Sequence, residues 1–190
     1  MGRWQPDSRG RLQEAALALY SERGFDQTTA AQIAVQAGLT ERTFFRHFAD
    51  KREVLFGGSA HLQERLVAGV AGAPASAGPF DAVAGGLDAA AAMLGEFRRD
   101  LSRQRQAVID ANPELRERER TKLGDYAAAV AAALRRRGVD EPQATLAAEL
   151  GMTVLRVALQ RWATDDDAGP DLPTVMRASV AELRAVAAGD

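Results

Sequence analysis

The chain has 190 residues, 46% of them hydrophobic and 26% charged, with a formal net charge of −2 and no cysteine. That length suits one globular domain or a domain with a small appendix, with enough chain to bury a core, and the lack of cysteine excludes disulfides, thiol nucleophiles and cysteine metal sites. No run approaches the ~18 uncharged apolar residues that span a bilayer, and the first eleven residues carry Arg3, Asp7, Arg9 and Arg11 without an apolar stretch, so a soluble cytoplasmic protein with no leader and no membrane partner is expected.

The periodicity predicts helices nearly throughout and no strand. A first helix is expected over 7–23, with Leu12, Ala16, Leu19 and Tyr20 on one face and Gly24 as its stop. Thr28 or Thr29 then caps a short helix with Ile33, Ala34 and Ala37 inward, ended by Gly38. Thr40 caps a third, holding Phe44, Phe45 and Phe48, and a fourth is expected to begin at Lys51 and to carry Val54, Leu55, Leu62 and Leu66. The stretch 72–79 (GAPASAGP) reads as a linker. Beyond it, helices are expected over 80–94, 96–110, 113–137, 140–163 and 172–187, separated by Asn112-Pro113, Gly138 and the acidic loop 165–170. The fold class is therefore all-α, about nine helices.

Charge divides unevenly along this order. Residues 1–52 hold eight Lys and Arg against six Asp and Glu; residues 53–190 hold sixteen against twenty. A mildly basic first quarter points toward a polyanion.

The informative segment is 24–51, GFDQTTAAQIAVQAGLTERTFFRHFADK. A helix-turn-helix needs two short helices about a tight turn, with a packed back and a polar front. Thr28-Thr29 opens the supporting helix, Gly38 permits the turn, Leu39 buries beneath it, and Thr40-Glu41-Arg42-Thr43 begins the second helix. The first residues of such a recognition helix reach base edges in the major groove. Arg42 can donate two hydrogen bonds to guanine, and Thr40 and Thr43 can touch bases or a thymine methyl. Thr29 and Lys51, at helix starts, suit phosphate. Arg46 and His47 can reach the flanking backbone, and His47 can equally be a core histidine tying the recognition helix to the first.

These residues resemble the N-terminal domain of the TetR family of bacterial transcriptional regulators. The resemblance rests on Gly24-Phe25, Thr28-Thr29, Ile33-Ala34, Ala37-Gly38-Leu39, Phe44-Phe45, His47-Phe48 and Lys51, and it spans about 9–56. It implies that Thr29, Thr40, Arg42, Thr43, Phe45, His47 and Lys51 face double-stranded DNA. Phe45 departs from the pattern, because tyrosine is common there and its hydroxyl contacts phosphate. The domain organisation it implies is a helix-turn-helix domain over 1–52 and an effector-binding and dimerisation domain over 53–190, the fourth helix connecting them.

Similar proteins dimerise through their last two helices, bind a palindromic operator and release it on taking up a small effector. The helix over 140–163 is apolar around much of its circumference, which fits burial on two sides. The interface residues implied are Leu155, Leu159, Trp162, Val180 and Leu183. The pocket residues implied are Leu62, Leu66, Met93, Phe97, Leu101, Val108 and Met152. The stretch 111–119 (ANPELRERE) resembles a subgroup of actinobacterial regulators, some associated with fatty acyl-CoA or mycofactocin pathways, so an apolar or amphipathic, acyl-CoA-like effector is one expectation. Neither His47 nor His61 sits in a metal or di-iron motif, and no phosphate-binding glycine loop occurs. Neither an enzyme nor a cofactor or metal is expected. The competing reading is a helix-turn-helix protein that coats DNA without a ligand.

Overall fold

The computed structural model describes residues 8–96, 98–164 and 169–189. Among these residues it has nine α-helices and no strand: α1 Ser8–Arg23, α2 Ala30–Gln36, α3 Glu41–His47, α4 Ser59–Ala71, α5 Pro79–Leu94, α6 Arg99–Ala111, α7 Pro113–Arg136, α8 Glu141–Thr164 and α9 Leu172–Ala188. The all-α class read from the periodicity holds, and the chain folds as two compact units.

The first unit comprises residues 1–58 together with 104–119. Apolar residues three and four apart on α1 (Leu12, Ala16, Leu19, Tyr20) are buried, as are Ile33 and Ala34 of α2 and Phe44 of α3. Gly24 and Gly38 adopt φ of 85° and 65°, the left-handed region that favours glycine, and so end their helices where the sequence predicted. One expectation is corrected. No α-helix starts at Lys51; a short 3₁₀ turn at Glu53–Phe56 follows it, and α4 begins only at Ser59. Asp50 is the cause. Its Oδ1 accepts from the N–H groups of Arg52 (2.7 Å) and Glu53 (3.1 Å), and the turn so opened stops short of Gly57-Gly58, beyond which α4 starts.

The segment 104–119, expected with the C-terminal helices, groups with this first unit through long arginine side chains. Arg105 Nε donates to Leu55 O at 2.7 Å, with its guanidinium 5.1 Å from the Phe56 ring centroid. Arg118 pairs with Glu53, and Arg52 approaches Glu114 at 3.8 Å. Val108, Ile109 and Leu115 of the segment are buried.

The second unit takes residues 59–103 and 120–190. Its core joins Leu66 and Val70 of α4, Val83, Leu87 and Ala90 of α5, Tyr126, Val130 and Leu134 of α7, and the inner faces of α8 and α9. Small residues let α4 and α5 approach closely: a Cβ built on Gly86 would lie 2.7 Å from Leu66 O, and one on Gly69 2.6 Å from Gly86 Cα. The stretch 72–79, read as a linker, is the α4–α5 connection inside this unit. Arg137 holds it, donating to Ala73 O (2.8 Å) and Pro74 O (2.7 Å). Asp140 and Asp171 accept from backbone N–H groups of Gln143 and Thr174 and so start α8 and α9.

Candidate nucleic-acid interface

The helix-turn-helix is assembled from α2, the Gly38 turn and α3, all in the first unit. Thr29 opens α2 through a reciprocal capping box: its hydroxyl accepts from Gln32 N at 3.2 Å, while Gln32 Oε1 accepts from Thr29 N at 2.9 Å. Thr40 opens α3, accepting from Thr43 N at 3.2 Å, with the two threonine hydroxyls 2.9 Å apart. Both caps leave their threonines exposed or half-exposed, so the same hydroxyls that fix the helices stand at the surface.

The seven-residue α3 divides cleanly by spacing. Phe44 and, one turn on, Phe48 point into the core, their ring centroids 5.8 Å apart. Arg42, Phe45 and Arg46 point out. Phe45 is 53% exposed, its ring edge-on to Phe44 at 5.3 Å. Neither Arg42 nor Arg46 makes a hydrogen bond or ion pair among the described residues, so the face offers two unpaired guanidinium groups flanking an apolar ring. That chemistry suits a polyanion with aromatic edges: guanidinium forks for base edges or phosphate, and a ring to lie on the sugar.

Lys51 sits differently from the expectation, and of the two readings given for His47 its burial fits the core one. The Lys51 ammonium donates to three carbonyls of the α1–α2 loop, Phe25 O (2.8 Å), Thr28 O (3.0 Å) and Asp26 O (3.4 Å), and lies 4.3 Å from the Phe25 ring centroid. All three of its N–H donors are engaged. Lys51 is thus a clamp on the helix-turn-helix, and the predicted anion-binding helix start at this residue is absent because Asp50 has taken those N–H groups. Tyr20 completes the clamp, donating its hydroxyl to Lys51 O at 2.6 Å. Burial, with the nearby Asp50 charge, pushes that phenol well above its ordinary range and keeps it a donor. Asp50 itself is held below the usual carboxylate range: burial alone would raise it, but hydrogen bonds from Arg52 and from the N–H groups of Glu53 and Arg52 outweigh that. His47 is half-buried, and its Nε2 is buried without a partner among the described residues, so that atom does not face phosphate.

Two arginines read from the sequence as ordinary surface residues rather than phosphate contacts shape the interface from behind. Arg11 Nη2 donates to Ala37 O and also reaches Gly38 O at 3.5 Å, bracing the turn from α1. Arg9 donates to Gly57 O, and its guanidinium lies 5.3 Å from the Phe48 ring centroid. Neither left a local signal, because an arginine that binds a carbonyl 26 or 48 residues away looks like any surface arginine.

Residues 12–56 match the family described as "Bacterial regulatory proteins, tetR family", and residues 77–188 match one described as "MftR C-terminal domain". The chain belongs to the TetR family. Among curated relatives, the transcriptional regulator TcmR of Streptomyces glaucescens is 37% identical over 91 residues, 48% of this chain and 39% of TcmR. The transcriptional repressor KstR2 of Mycobacterium tuberculosis is 43% identical over 47 residues, 25% of this chain and 24% of KstR2. Both matches therefore span well under half of the relative. FadR of Bacillus subtilis, solved in complex with stearoyl-CoA, superposes with a TM-score of 0.61 over 92% of this chain and 96% of FadR at 20% identity, a likeness of fold. The chain carries the N-terminal helix-turn-helix of that family.

The expected pocket and interface residues scatter. Leu66 and Met152 are buried core residues of the second unit; Leu62, Met93 and Leu101 are half-buried there. Val108 belongs to the segment grouped with the first unit, and Phe97 lies outside the described residues. A cleft of about 270 Å³ opens between α5 and α9, lined by Ala84, Asp88, Arg177, Val180, Ala181 and Arg184; none of the seven lines it. Of the interface residues, Leu155, Trp162 and Val180 are buried within the chain itself, so they cannot meet a partner. An apolar face on a helix packed on two sides is ambiguous in sequence, and here the inward side claimed them. Leu159 and Leu183 remain half-exposed. The outward side of α8 instead presents Leu146, 63% exposed, with Leu150, Thr153 and Val157 following at helical spacing. Among the described residues no helix is long and apolar enough to cross a membrane.

Proposed function

We propose that this TetR-family chain is a homodimeric repressor acting in the cytoplasm, which reads a palindromic operator with α3 and releases it when a small apolar or amphipathic ligand binds the C-terminal unit. The observation that carries the reading is the outward face of α3, where Arg42 and Arg46 stand unpaired about an exposed Phe45. In this reading Arg42 reads bases, Thr40 and Thr43 touch them at the helix start, and Thr29, Phe45 and Arg46 lie on the backbone. His47 and Lys51 hold α3 and the α1–α2 loop in place behind them. A two-fold dimer fits because it presents two recognition helices to two half-sites, and the outward stripe of α8 is its face. The ligand enters among the helices carrying Leu62, Met93, Leu101 and Met152, and an acyl-CoA-like molecule belongs to the class expected. No catalysis is part of this function.

The test is fluorescence anisotropy on the DNA upstream of the protein's own gene and on random duplex, over a salt series. A preference of ~10³-fold or more for a palindromic segment is expected of a specific regulator. Equal, steeply salt-dependent binding to both duplexes would overturn it in favour of phosphate recognition alone.

A further inference from the structure

Two polar groups stand out in the apolar core of the C-terminal unit. Trp162 on α8 and Ser179 on α9 are each only 4% exposed, and Trp162 Nε1 and Ser179 Oγ have no hydrogen-bond partner among the described residues. An indole N–H donates only, and a serine hydroxyl can donate or accept. Groups buried this deeply are normally satisfied, and each that is not needs a reason. The Arg161–Glu182 ion pair joins α8 to α9 one residue from Trp162 and three from Ser179, so both groups lie on the same stretch of the α8–α9 seam. Leu155 and Ala158 of α8 and Leu172, Val175 and Met176 of α9 are buried in the apolar core of the same unit.

The charges nearby are already spent. Arg99 lies 5.2 Å from the Trp162 ring centroid, but its Nη2 donates to Pro170 O (2.5 Å) and Gly169 O (3.3 Å). Arg103 Nε donates to Ala163 O at 2.7 Å. Among the described residues, an anionic group brought to this seam would find Arg99 and Arg103 already committed, whereas a neutral carbonyl would meet the indole N–H and the hydroxyl.

Resting on the ligand-responsive reading above, we propose that Trp162 and Ser179 are the polar anchors of the effector site and that they select a mainly apolar ligand carrying a neutral hydrogen-bond acceptor, a ketone, ester or thioester carbonyl. The carbonyl oxygen accepts from Trp162 Nε1 and Ser179 Oγ while the hydrocarbon chain lies among the surrounding apolar side chains. Occupancy bears directly on α8 and α9.

The experiment uses the full chain with Trp4→Phe, which leaves Trp162 as the single tryptophan of the two in the sequence. Methyl decanoate and decanoate, of equal chain length but neutral and anionic at pH 7.5, are titrated by calorimetry and by tryptophan emission. Methyl decanoate is expected to shift Trp162 emission and to bind at least tenfold tighter than decanoate. Ser179→Ala and, in the otherwise unchanged chain, Trp162→Phe should each weaken the ester by about tenfold, the worth of one neutral hydrogen bond, with the far-ultraviolet circular dichroism unchanged. The proposal is overturned if the ester does not bind, binds without moving the emission, binds no better than decanoate, or binds Ser179→Ala equally well. Release of operator DNA by some other compound with Trp162 silent would keep the regulator and sink this site. Ester binding as expected, in a protein with no operator preference, would keep the site and sink the repressor.

Discussion

Arg42 sits in the first turn of α3, exposed and with its guanidinium fork unpaired, a geometry that matches O6 and N7 of guanine. Arg42→Ala is therefore expected to weaken operator binding by ~1–3 kcal/mol while changing affinity for random duplex much less; anisotropy on both DNAs measures it, and equal losses would remove Arg42 from base reading. Lys51 leads to the opposite expectation. Its ammonium is committed to the carbonyls of Phe25, Asp26 and Thr28, so its removal unties the α1–α2 loop and takes away little that faces phosphate. Lys51→Ala should lower stability by about 1–2 kcal/mol through the lost hydrogen bonds and cation–π contact. Thermal unfolding should show the loss, while the salt slope of DNA binding stays where it was. A slope lowered by about one, with unfolding unchanged, would return Lys51 to the phosphate-binding set.

At the scale of the element, the helix-turn-helix was legible because its signals are local. Thr29 with Gln32, Thr40 with Thr43 and glycine at 24 and 38 announce the starts of α2 and α3 and the stops of α1 and α2 within four residues of themselves. What was not legible acts at a distance. That a 3₁₀ turn at Glu53–Phe56 stands where a helix was expected from Lys51, that Arg105 and Arg118 bind segment 104–119 to Leu55 and Glu53, and that Leu155, Trp162 and Val180 face inward depends on which surface each element meets. Periodicity finds an apolar face without naming what covers it. The Gly38 turn combines both kinds of constraint. Its φ of 65° disfavours any side chain, and a Cβ there would lie 2.8 Å from Arg11 Nη2, the group that braces the turn. Gly38→Ala should cost about 1–2 kcal/mol from the left-handed backbone alone, lowering the melting temperature by ~2–4 °C for each kcal/mol in a chain of this size. Because α2 and α3 then lose their fixed angle, operator affinity should fall further than stability. Unchanged unfolding and unchanged binding together would show that the turn tolerates a side chain.

For the whole molecule, the decisive property is whether two copies act together. The outward stripe of α8 runs from the exposed Leu146 through half-exposed Leu150 and exposed Thr153 to half-exposed Val157, and it is the face proposed to meet a second copy. Covering it with the same stripe of a second copy is self-complementary under a two-fold axis, as an isologous contact requires. Leu150 is half-exposed at the middle of the stripe, so Leu150→Glu places two like charges across that axis while leaving the protomer's inner core, Leu155 and Met152 among it, untouched. Sedimentation velocity is expected to give a dimer for the natural chain and a monomer for the variant, with the same circular dichroism. DNA binding should then separate the two levels of recognition. A monomer keeps α3 and all its contacts with one half-site but loses the second half-site held at high effective concentration, so operator affinity should drop by about 10²-fold or more while binding to an isolated half-site is unchanged. A variant that stays dimeric moves the interface off this face of α8; a monomer that binds the full operator as tightly as the natural chain would mean that one recognition helix suffices, and the palindromic reading would fall with it.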